Sequence, residues 1–557
     1  MELETFLHDL HYDVDKTKPP GWEIDWNDKP LPYKLYRGVP TVTLAAEIPL
    51  VLPANRPLAG AAAREYPGAG SGANTLRKPG PPDLRTIGHF LWYAYGLAQV
   101  SDSILATMGP GQDVFRMQRR FAPSGGGLYP NELYVYLNIG ELPEGVYHYD
   151  TAHHRLALLR EGRFDGYIAR ALGNSCDVGR CFGVAFVSSM FWKNFFKYNH
   201  FSYRLQALDA GAMMGQLLES AKRFGWEAGV HYRFLDRAVN RLLGLSGQEE
   251  SVYAVIPLSA ESADVWFAGM ARQPPGAITA ERLCSELPAI QHDQYVRSKR
   301  IKPYPLLNRM NEASMLESLE SLGPVGLPWM EAGGSSGRRT AAGERYRLPV
   351  TERLEYDFAS ACRQRYSPDA DFVLGSLEPE RLAALLREAT ESFVYRNDLD
   401  GFMEPSAPRA PRVGLYGILH QVEGIPDGSY RYDSAECALL RLRPGDLRLW
   451  VQEGMPAHNV NVLQVPLVLH VAGDRRHYLP ALGYRGYRIQ QMEAGMLTQR
   501  VLLSAAALGL NGHPLLGYDA RLCDELYRLP EQRLASLIQI PVGWTRPSPR
   551  LAGALHG

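Results

Sequence analysis

Residues 203–226 read YRLQALDAGAMMGQLLESAKRFGW, and residues 487–510 read YRIQQMEAGMLTQRVLLSAAALGL. The two stretches align without a gap and share Tyr-Arg, a glutamine, an acidic residue before Ala-Gly, and a glycine near the end. The first is apolar on most sides, with small residues on one face, which predicts a buried helix that another backbone can approach closely. Gly225 is placed as the stop signal of this helix.

Further matches occur in the same order on both sides of the chain. GVYHYD at 145–150 pairs with GSYRYD at 428–433, and VIPL at 255–258 pairs with QIPV at 539–542. Several matches at similar offsets indicate two copies of one fold. The length of 557 residues also favours two domains, of about 200 to 250 residues each.

The composition is that of a globular protein, with 45% hydrophobic and 21% charged residues. The 59 Lys and Arg against 60 Asp and Glu give a net charge of −1, so neither nucleic acid nor an acidic membrane is expected as a partner. Six scattered cysteines predict neither a disulfide framework nor a metal site. The acidic N-terminus and the absence of an apolar run of about 20 residues favour a cytoplasmic location.

A glycine loop precedes an aromatic strand in RRFAPSGGGLYPNELYVYLN, residues 119–138. Ser124 and the three glycines after it allow positive φ and leave N–H groups free, so the loop can approach a flat ligand. A tight loop with no ligand is the alternative. The alternation in Glu132 to Asn138 predicts a half-buried strand.

Together, the PSGGG loop, the LYP that follows it, the aromatic strand and GVYHYD resemble the flavin-binding core of the nitroreductase-like family. The resemblance is to its SagB-type branch, the peptide-azoline dehydrogenases, and it implies FMN as the cofactor. The family loop lies along the flavin ring. The resemblance therefore implies that the ring contacts are Pro123, Ser124, Gly125 and Gly126, with Arg120 as a further candidate.

The family resemblance also implies an α+β fold, in which a mixed, mainly antiparallel sheet is flanked by helices. Family members are usually homodimers that bind flavin between subunits, and here two tandem domains would form that dimer within one chain. The expected divisions are an extended N-terminal segment (1–58), domain 1 (59–270), a linker (271–347) and domain 2 (348–557). Two alternatives stay open: the N-terminal segment as a substrate site, and the Gly/Ser-rich 323–343 as a lid.

The two copies differ in complementary ways. The family's phosphate signature, Arg-x-Ser with a further Arg, is matched in domain 2 by Arg363, Arg365 and Ser367, whereas domain 1 has only GAGSGANTLRK in that region. In domain 2 the loop reads APRVGLY, and its arginine and valine would crowd a flavin. Because the family builds each site from both subunits, one composite FMN site is expected. A solvated basic turn is the alternative for the two arginines.

The azoline dehydrogenases carry an adjacent Lys-Tyr pair, matched here by Lys197 and Tyr198. The lysine would be the base, once apolar surroundings lower its pKa. Domain 2 has Ala481 and Leu482 instead. The residues after the pair depart from the family pattern, and a pair without chemistry is the alternative.

The resemblance implies an FMN-dependent dehydrogenase that oxidises thiazoline or oxazoline to the azole in a ribosomally synthesised peptide. A cyclodehydratase or another peptide-modifying enzyme would be its partner. Two alternatives are an oxygen-dependent hydroxylation or oxidative decarboxylation of a peptide, and a flavin-free scaffold that binds a peptide or partner. The sequence contains no NAD(P)H-binding motif, which favours oxygen as the reoxidant.

Overall fold

The computed structural model describes residues 2–52, 82–106, 112–267, 278–319, 344–400, 412–457, 459–546 and 551–554. The GAGSGANTLRK stretch of domain 1, the whole of 323–343, and the expected boundaries after residues 58 and 270 lie outside these ranges. Those expectations therefore stay predictions.

Two long helices, α5 and α13, occupy the centre of the molecule, and shorter helices flank the sheets. The helices of the described residues are α1 (Leu3–Tyr12), α2 (Leu84–Tyr95), α3 (Asp165–Ala171), α4 (Phe191–Tyr198), α5 (Ser202–Arg223), α6 (Asp236–Leu243), α7 (Ala280–Glu286), α8 (Pro305–Ala313), α9 (Phe358–Gln364), α10 (Pro379–Ser392), α11 (Arg448–Glu453), α12 (Leu479–Leu482), α13 (Tyr484–Ala507) and α14 (Ala520–Leu526). Among the described residues, no helix is long and apolar enough to cross a membrane.

The strands form one large sheet in each half of the chain and a small third sheet. They are β1 (Thr41–Thr43), β2 (Gln99–Ala106), β3 (Gln112–Arg119), β4 (Asn131–Leu137), β5 (Gly145–Asp150), β6 (Arg155–Glu161), β7 (Gly183–Met190), β8 (Glu227–Val230), β9 (Glu250–Ser259), β10 (Arg345–Arg347), β11 (Phe372–Val373), β12 (Arg396–Asn397), β13 (Val413–Leu419), β14 (Gly428–Asp433), β15 (Ala438–Pro444), β16 (Leu467–Asp474), β17 (Asn511–Gly512), β18 (Leu534–Thr545) and β19 (Leu551–Ala554).

The two large sheets have the same order over six strands and differ at one edge. The first runs β1-β6-β5-β4-β7-β9-β8-β12, and the second runs β10-β15-β14-β13-β16-β18-β11, with β17 also on β18. The strand pairs in both are antiparallel, apart from β12 on β8. GVYHYD forms β5 and GSYRYD forms β14, at matching places. The expected α+β fold and the duplication are confirmed.

Helices α5 and α13 cross at two glycines. A Cβ added to Gly211 would lie 2.0 Å from the carbonyl oxygen of Met492, and one added to Gly495 would lie 2.1 Å from that of Leu208. The backbones therefore touch where any side chain would separate them. This symmetrical crossing confirms the expected pairing of the two halves within one chain.

Strand β4 differs from its prediction, because all seven of its residues are buried. Leu133 and Val135 on one face pack in the core that contains α5, while Tyr134 and Tyr136 on the other face pack in the core that contains α3 and α6. Apolar and aromatic residues alternate in this strand, and both kinds are covered. The half-buried interpretation was wrong because it treated the tyrosines as a solvent face.

Two strands of the second half pair with strands of the first half. The two-residue strand β12, from the second half, completes the edge of the first sheet beside β8. Strand β19, near the C-terminus, pairs with β2 of the first half in the third sheet. The halves are thus joined by two strands of the second half as well as by the central helices.

The N-terminal segment runs across the first half, alongside residues that follow the last first-half strand, β9, in the chain. Residues 23–37 lie antiparallel to residues 293–302; we call this pair of segments the ribbon. Its backbone contacts include Tyr36 with Gln294 and the N–H of Tyr295 on the carbonyl of Leu35, 2.9 Å. Lys34 anchors the ribbon through a buried ion pair of 2.7 Å with Glu250.

Candidate functional site

The glycine loop forms a tight turn over Gly125–Gly127, with φ of 63° at Gly126 and 65° at Gly127. Both angles lie in the left-handed region that glycine adopts without strain. Ser124 fixes the start of the turn, because its Oγ accepts from the N–H of Tyr129 at 2.9 Å. Gly126 is exposed, whereas Pro123, Ser124 and Gly125 are half-buried. The loop therefore has an open side.

Asp209 of α5 holds the other side of the loop. Its carboxylate accepts from Ser124 Oγ at 2.6 Å and from the N–H of Gly125 at 3.1 Å. Burial raises the pKa of Asp209 to about 7, although both hydrogen bonds favour the charged form. The sequence indicated Asp209 only as an acidic residue shared by both long helices.

Lys197 and Tyr198 lie against the loop, as their assignment to one site requires. A Cβ added to Gly126 would lie 2.5 Å from Tyr198 Oη and 3.0 Å from Lys197 Nζ. The pair ends α4, and Asn199 then turns the chain with φ of 47°. A side chain at position 126 would therefore displace the ends of the Lys197 and Tyr198 side chains.

The surroundings of the pair change its acid–base properties. Burial and then the nearby charge of Lys29 lower the pKa of Lys197. Burial and then the carboxylate of Asp209 raise the pKa of Tyr198, so its hydroxyl stays protonated. Trp26 of the ribbon lies beside the ammonium, with its ring centroid 5.8 Å from Lys197 Nζ.

Arg120 is buried just before the loop, and its side chain is engaged elsewhere. Its Nη2 donates to the carbonyl of Pro32 at 2.7 Å and to Thr151 Oγ1 at 3.2 Å, while the guanidinium lies 4.0 Å from the ring of Tyr95. This side chain ties the N-terminal segment to the sheet. The main chain of Arg120 is what faces the second half.

Arg365 reaches the loop from the second half of the chain. Its Nη2 donates to the carbonyl of Arg120 at 3.2 Å, and Nε and Nη1 are buried without a partner among the described residues. Burial and then the neighbouring charge of Arg119 lower the pKa of Arg365 to about 10. A buried guanidinium with unpaired donors is costly, and a bound anion would offset that cost.

Arg119 belongs to the same cluster, although the sequence did not single it out. Its guanidinium donates to the carbonyls of Arg363 and Arg365. Arg363 itself is exposed and donates to the carbonyl of Leu50 at 2.8 Å. Ser367 is half-buried, next to these residues in the chain. The structure thus brings Arg365 to the loop, while the guanidinium of Arg363 is engaged at Leu50.

The corresponding place in the second half is filled by an ion pair. Arg412, which replaces the serine-glycine part of the loop, donates to Glu493, the counterpart of Asp209. It also pairs with Asp400, and Tyr395 donates to Glu493 at 2.7 Å. The Arg412 side chain is only 7% exposed. The acidic residue of the long helix is thus bound by an arginine guanidinium in the second half and by Ser124 and the N–H of Gly125 in the first.

The family model for nitroreductases matches residues 78–258 and residues 375–544, one region in each half. The chain belongs to the nitroreductase family. This confirms the expected family and its tandem form. The crystal structure of a protein described as a nitroreductase, from Anabaena variabilis, has the same overall fold, with a TM-score of 0.67 over 98% of this chain and 99% of that chain at 20% identity.

A curated relative of this nitroreductase-family chain is the trifolitoxin-processing protein TfxB of Rhizobium leguminosarum bv. trifolii. The two are 30% identical over 142 residues, which is 24% of this chain and 37% of TfxB. The match therefore spans little more than a third of the length of that relative.

Proposed function

We propose that this chain is an FMN-dependent oxidoreductase that acts on a ribosomally synthesised peptide and oxidises thiazoline or oxazoline to the azole. Family membership and the similarity to a trifolitoxin-processing protein support this reading. The observation that carries it is the buried, partly unpaired guanidinium of Arg365. It comes from one half of the chain and lies beside the glycine loop of the other.

The residues present fit FMN at both ends. For the phosphate, Arg365 offers two buried donor nitrogens, Nε and Nη1, and Arg119 adds a second positive charge close by. Arg363 and Ser367 complete the proposed phosphate group, provided that Arg363 exchanges its bond to the Leu50 carbonyl for one to phosphate. The free energy of that exchange is small, because the present bond is exposed.

For the ring, the open side of Pro123 to Gly126 provides a surface without bulky side chains. Asp209 keeps the turn in place through Ser124 and Gly125, so the loop is held before anything binds. Arg120 contributes its main chain, which links the loop to Arg365. FMN, when bound, supplies the acceptor for the hydrogen and electron pair that leave the azoline ring.

Lys197 and Tyr198 are the proposed catalytic residues. The lowered pKa of Lys197 increases the fraction of free amine, which takes a ring proton on Nζ. Tyr198 keeps its proton and donates from Oη toward the substrate, since burial and Asp209 oppose its ionisation. Both side chains contact the exposed Gly126, so a substrate on the open side of the loop reaches them.

We propose a single flavin per chain. In the second half, Arg412 and Glu493 fill the equivalent place, and Leu482 stands where the first half has Tyr198. Opening that place would break a buried ion pair, which typically costs about 3 to 5 kcal/mol. The second place therefore has neither the space nor the catalytic side chains.

The test is the mass of a synthetic thiazoline-containing peptide after incubation with the FMN-loaded protein under oxygen. The expected result is a peptide mass lower by two hydrogens. With the Lys197→Ala variant the peptide mass should not change. Gain of an oxygen or loss of carbon dioxide would assign the protein to hydroxylation or oxidative decarboxylation. An unchanged mass with thiazoline and oxazoline peptides, even after a cyclodehydratase is added, would contradict the proposal.

A further inference from the structure

The ribbon presents basic and aromatic side chains beside the proposed catalytic lysine. Asp28 joins its two segments by accepting from the N–H groups of Lys299 at 2.7 Å and Arg300 at 2.8 Å. Ser298 Oγ also donates to the carbonyl of Asp28 at 2.7 Å. These bonds fix residues 297–302 next to residues 23–29, so side chains from both segments share one surface.

Several cations of this surface lack a carboxylate partner. Among the described residues, no ion pair involves Lys29, Arg297 or Lys299. Lys302 donates to the carbonyl of Glu23 rather than to a carboxylate. We call Lys29, Arg297, Lys299 and Lys302 the basic ledge.

The nearby carboxylates are mostly engaged. Asp25 pairs with Arg300, and both oxygens of Asp28 accept main-chain N–H groups. Glu23 is the exposed acidic residue that remains in residues 23–29. Asp28 keeps its negative charge, because the main-chain N–H groups of Lys299 and Arg300, and then the charges of Lys299 and Arg297, lower its pKa. Residues 23–29 and 297–302 together nevertheless hold five Lys and Arg against three Asp and Glu, so the ledge has an excess of positive charge, although the whole chain has a net charge of −1.

The charges continue into the proposed site. Burial and then the charge of Arg297 lower the pKa of Lys29, and Lys29 in turn is a cause of the lowered pKa of Lys197. Like charges that approach each other without an anion raise the free energy of the free protein. An acidic ligand at the ledge would relieve this repulsion.

Exposed apolar side chains accompany the ledge. Trp26 is 52% exposed although its ring packs against Phe196, and Tyr295, Val296 and Ile301 are 43%, 46% and 51% exposed. Aromatic and aliphatic groups next to cations suit a peptide, whose side chains are apolar as well as charged.

Resting on the proposed function, we propose that the basic ledge binds an acidic segment of the peptide substrate and so places a neighbouring residue at Lys197. Recognition of the peptide would thus depend on Asp or Glu near the modified residue. Trp26 would pack on an apolar side chain that lies between the acidic segment and the modified residue. The near-neutral charge of the chain as a whole favours a short acidic peptide over a nucleic acid.

The binding test uses the FMN-loaded full chain and two fluorescent synthetic peptides. One is rich in glutamate, and in the other every glutamate is replaced with glutamine. The acidic peptide should bind at least about tenfold more tightly at low salt, and the preference should shrink as salt rises. Equal binding of the two peptides would overturn the proposal.

Variants locate the binding. The combined substitution Lys29→Gln, Arg297→Gln and Lys299→Gln should weaken binding of the acidic peptide by about tenfold. Binding of the glutamine peptide should stay unchanged. Arg443→Gln is the matched control, because Arg443 is an exposed arginine of β15 with no ion pair among the described residues. An equal loss of affinity for the acidic peptide in the control variant would overturn the proposal. So would a single-stranded oligonucleotide that displaces the acidic peptide from the ledge.

The same samples separate this inference from the proposed function. FMN content is read from the visible spectrum of each variant before the peptide is added. Retained FMN without preference for the acidic peptide contradicts the ledge alone. Failure of the unmodified protein to bind FMN contradicts the proposed function, whatever the peptides do.

Discussion

Arg365 donates a hydrogen bond of 3.2 Å to the main-chain carbonyl of Arg120, and the two residues come from opposite halves of the duplicated chain. This contact places a buried cation from the second half at the start of the glycine loop of the first. Its remaining donors, Nε and Nη1, have no partner among the described residues. The proposed composite FMN site rests on this relationship.

Arg365→Ala should weaken FMN binding by about 10- to 100-fold, because charge-assisted hydrogen bonds to the phosphate would be lost. Arg363→Ala is the matched comparison and should have a smaller effect, since Arg363 is exposed and engaged at Leu50. Fluorescence titration of the cofactor-free variants measures both. Equal FMN affinities for Arg365→Ala and the unmodified protein would remove Arg365 from the proposed phosphate site.

Gly126→Ala should abolish turnover, because the new Cβ would meet Tyr198 Oη at 2.5 Å and Lys197 Nζ at 3.0 Å. Gly127→Ala provides the control: its φ of 65° matches that of Gly126, but an added Cβ has open space. Thermal unfolding should show a similar loss of stability in both variants, because both place alanine at a positive φ. Turnover should be lost in Gly126→Ala and kept in Gly127→Ala. Full activity of Gly126→Ala would mean that the pair does not work from this position.

Lys29→Met should shift the rising limb of the pH–rate profile to higher pH. The charge of Lys29 contributes to the lowered pKa of Lys197, so removing it raises that pKa and delays formation of the free amine. Lys18→Met is a control at an exposed lysine of the same N-terminal segment. A rising limb that stays in place, or moves to lower pH, would argue against Lys197 as the base.

Gly211→Ala should destabilise the whole chain by about 3 kcal/mol or more, because its Cβ would clash with the carbonyl of Met492. Gly166→Ala, in α3, is the control, since an added Cβ there contacts nothing within 4 Å. Urea unfolding of both variants measures the difference. Similar midpoints would show that the crossing of α5 and α13 does not hold the halves together.

Much of the fold followed from the sequence because duplication is visible in local motifs. The two long helices and the paired strands β5 and β14 carry residues that repeat in order, and each lies where the repeat placed it. The burial of β4 was misjudged because tyrosine occurs both on exposed faces and in cores. Only the packing of α3 and α6 decides between the two.

The parts of the site that the sequence did not indicate depend on contacts between distant segments. Asp209 is an acidic residue in an apolar helix, and nothing local shows that it accepts from Ser124. Arg119 looks like one of two adjacent arginines until its bonds to the second half are seen. The two segments of the ribbon are irregular and far apart in the chain, and neither has a periodic pattern that would predict their pairing.

The most direct test of the account is the ratio of flavin to chain in the protein purified after reconstitution with FMN. The released cofactor is identified, and its absorbance is compared with the protein concentration from amino-acid analysis. A composite site predicts a single FMN per chain, and Arg365→Ala should release it. Two FMN per chain, or none bound after reconstitution, would contradict the composite site.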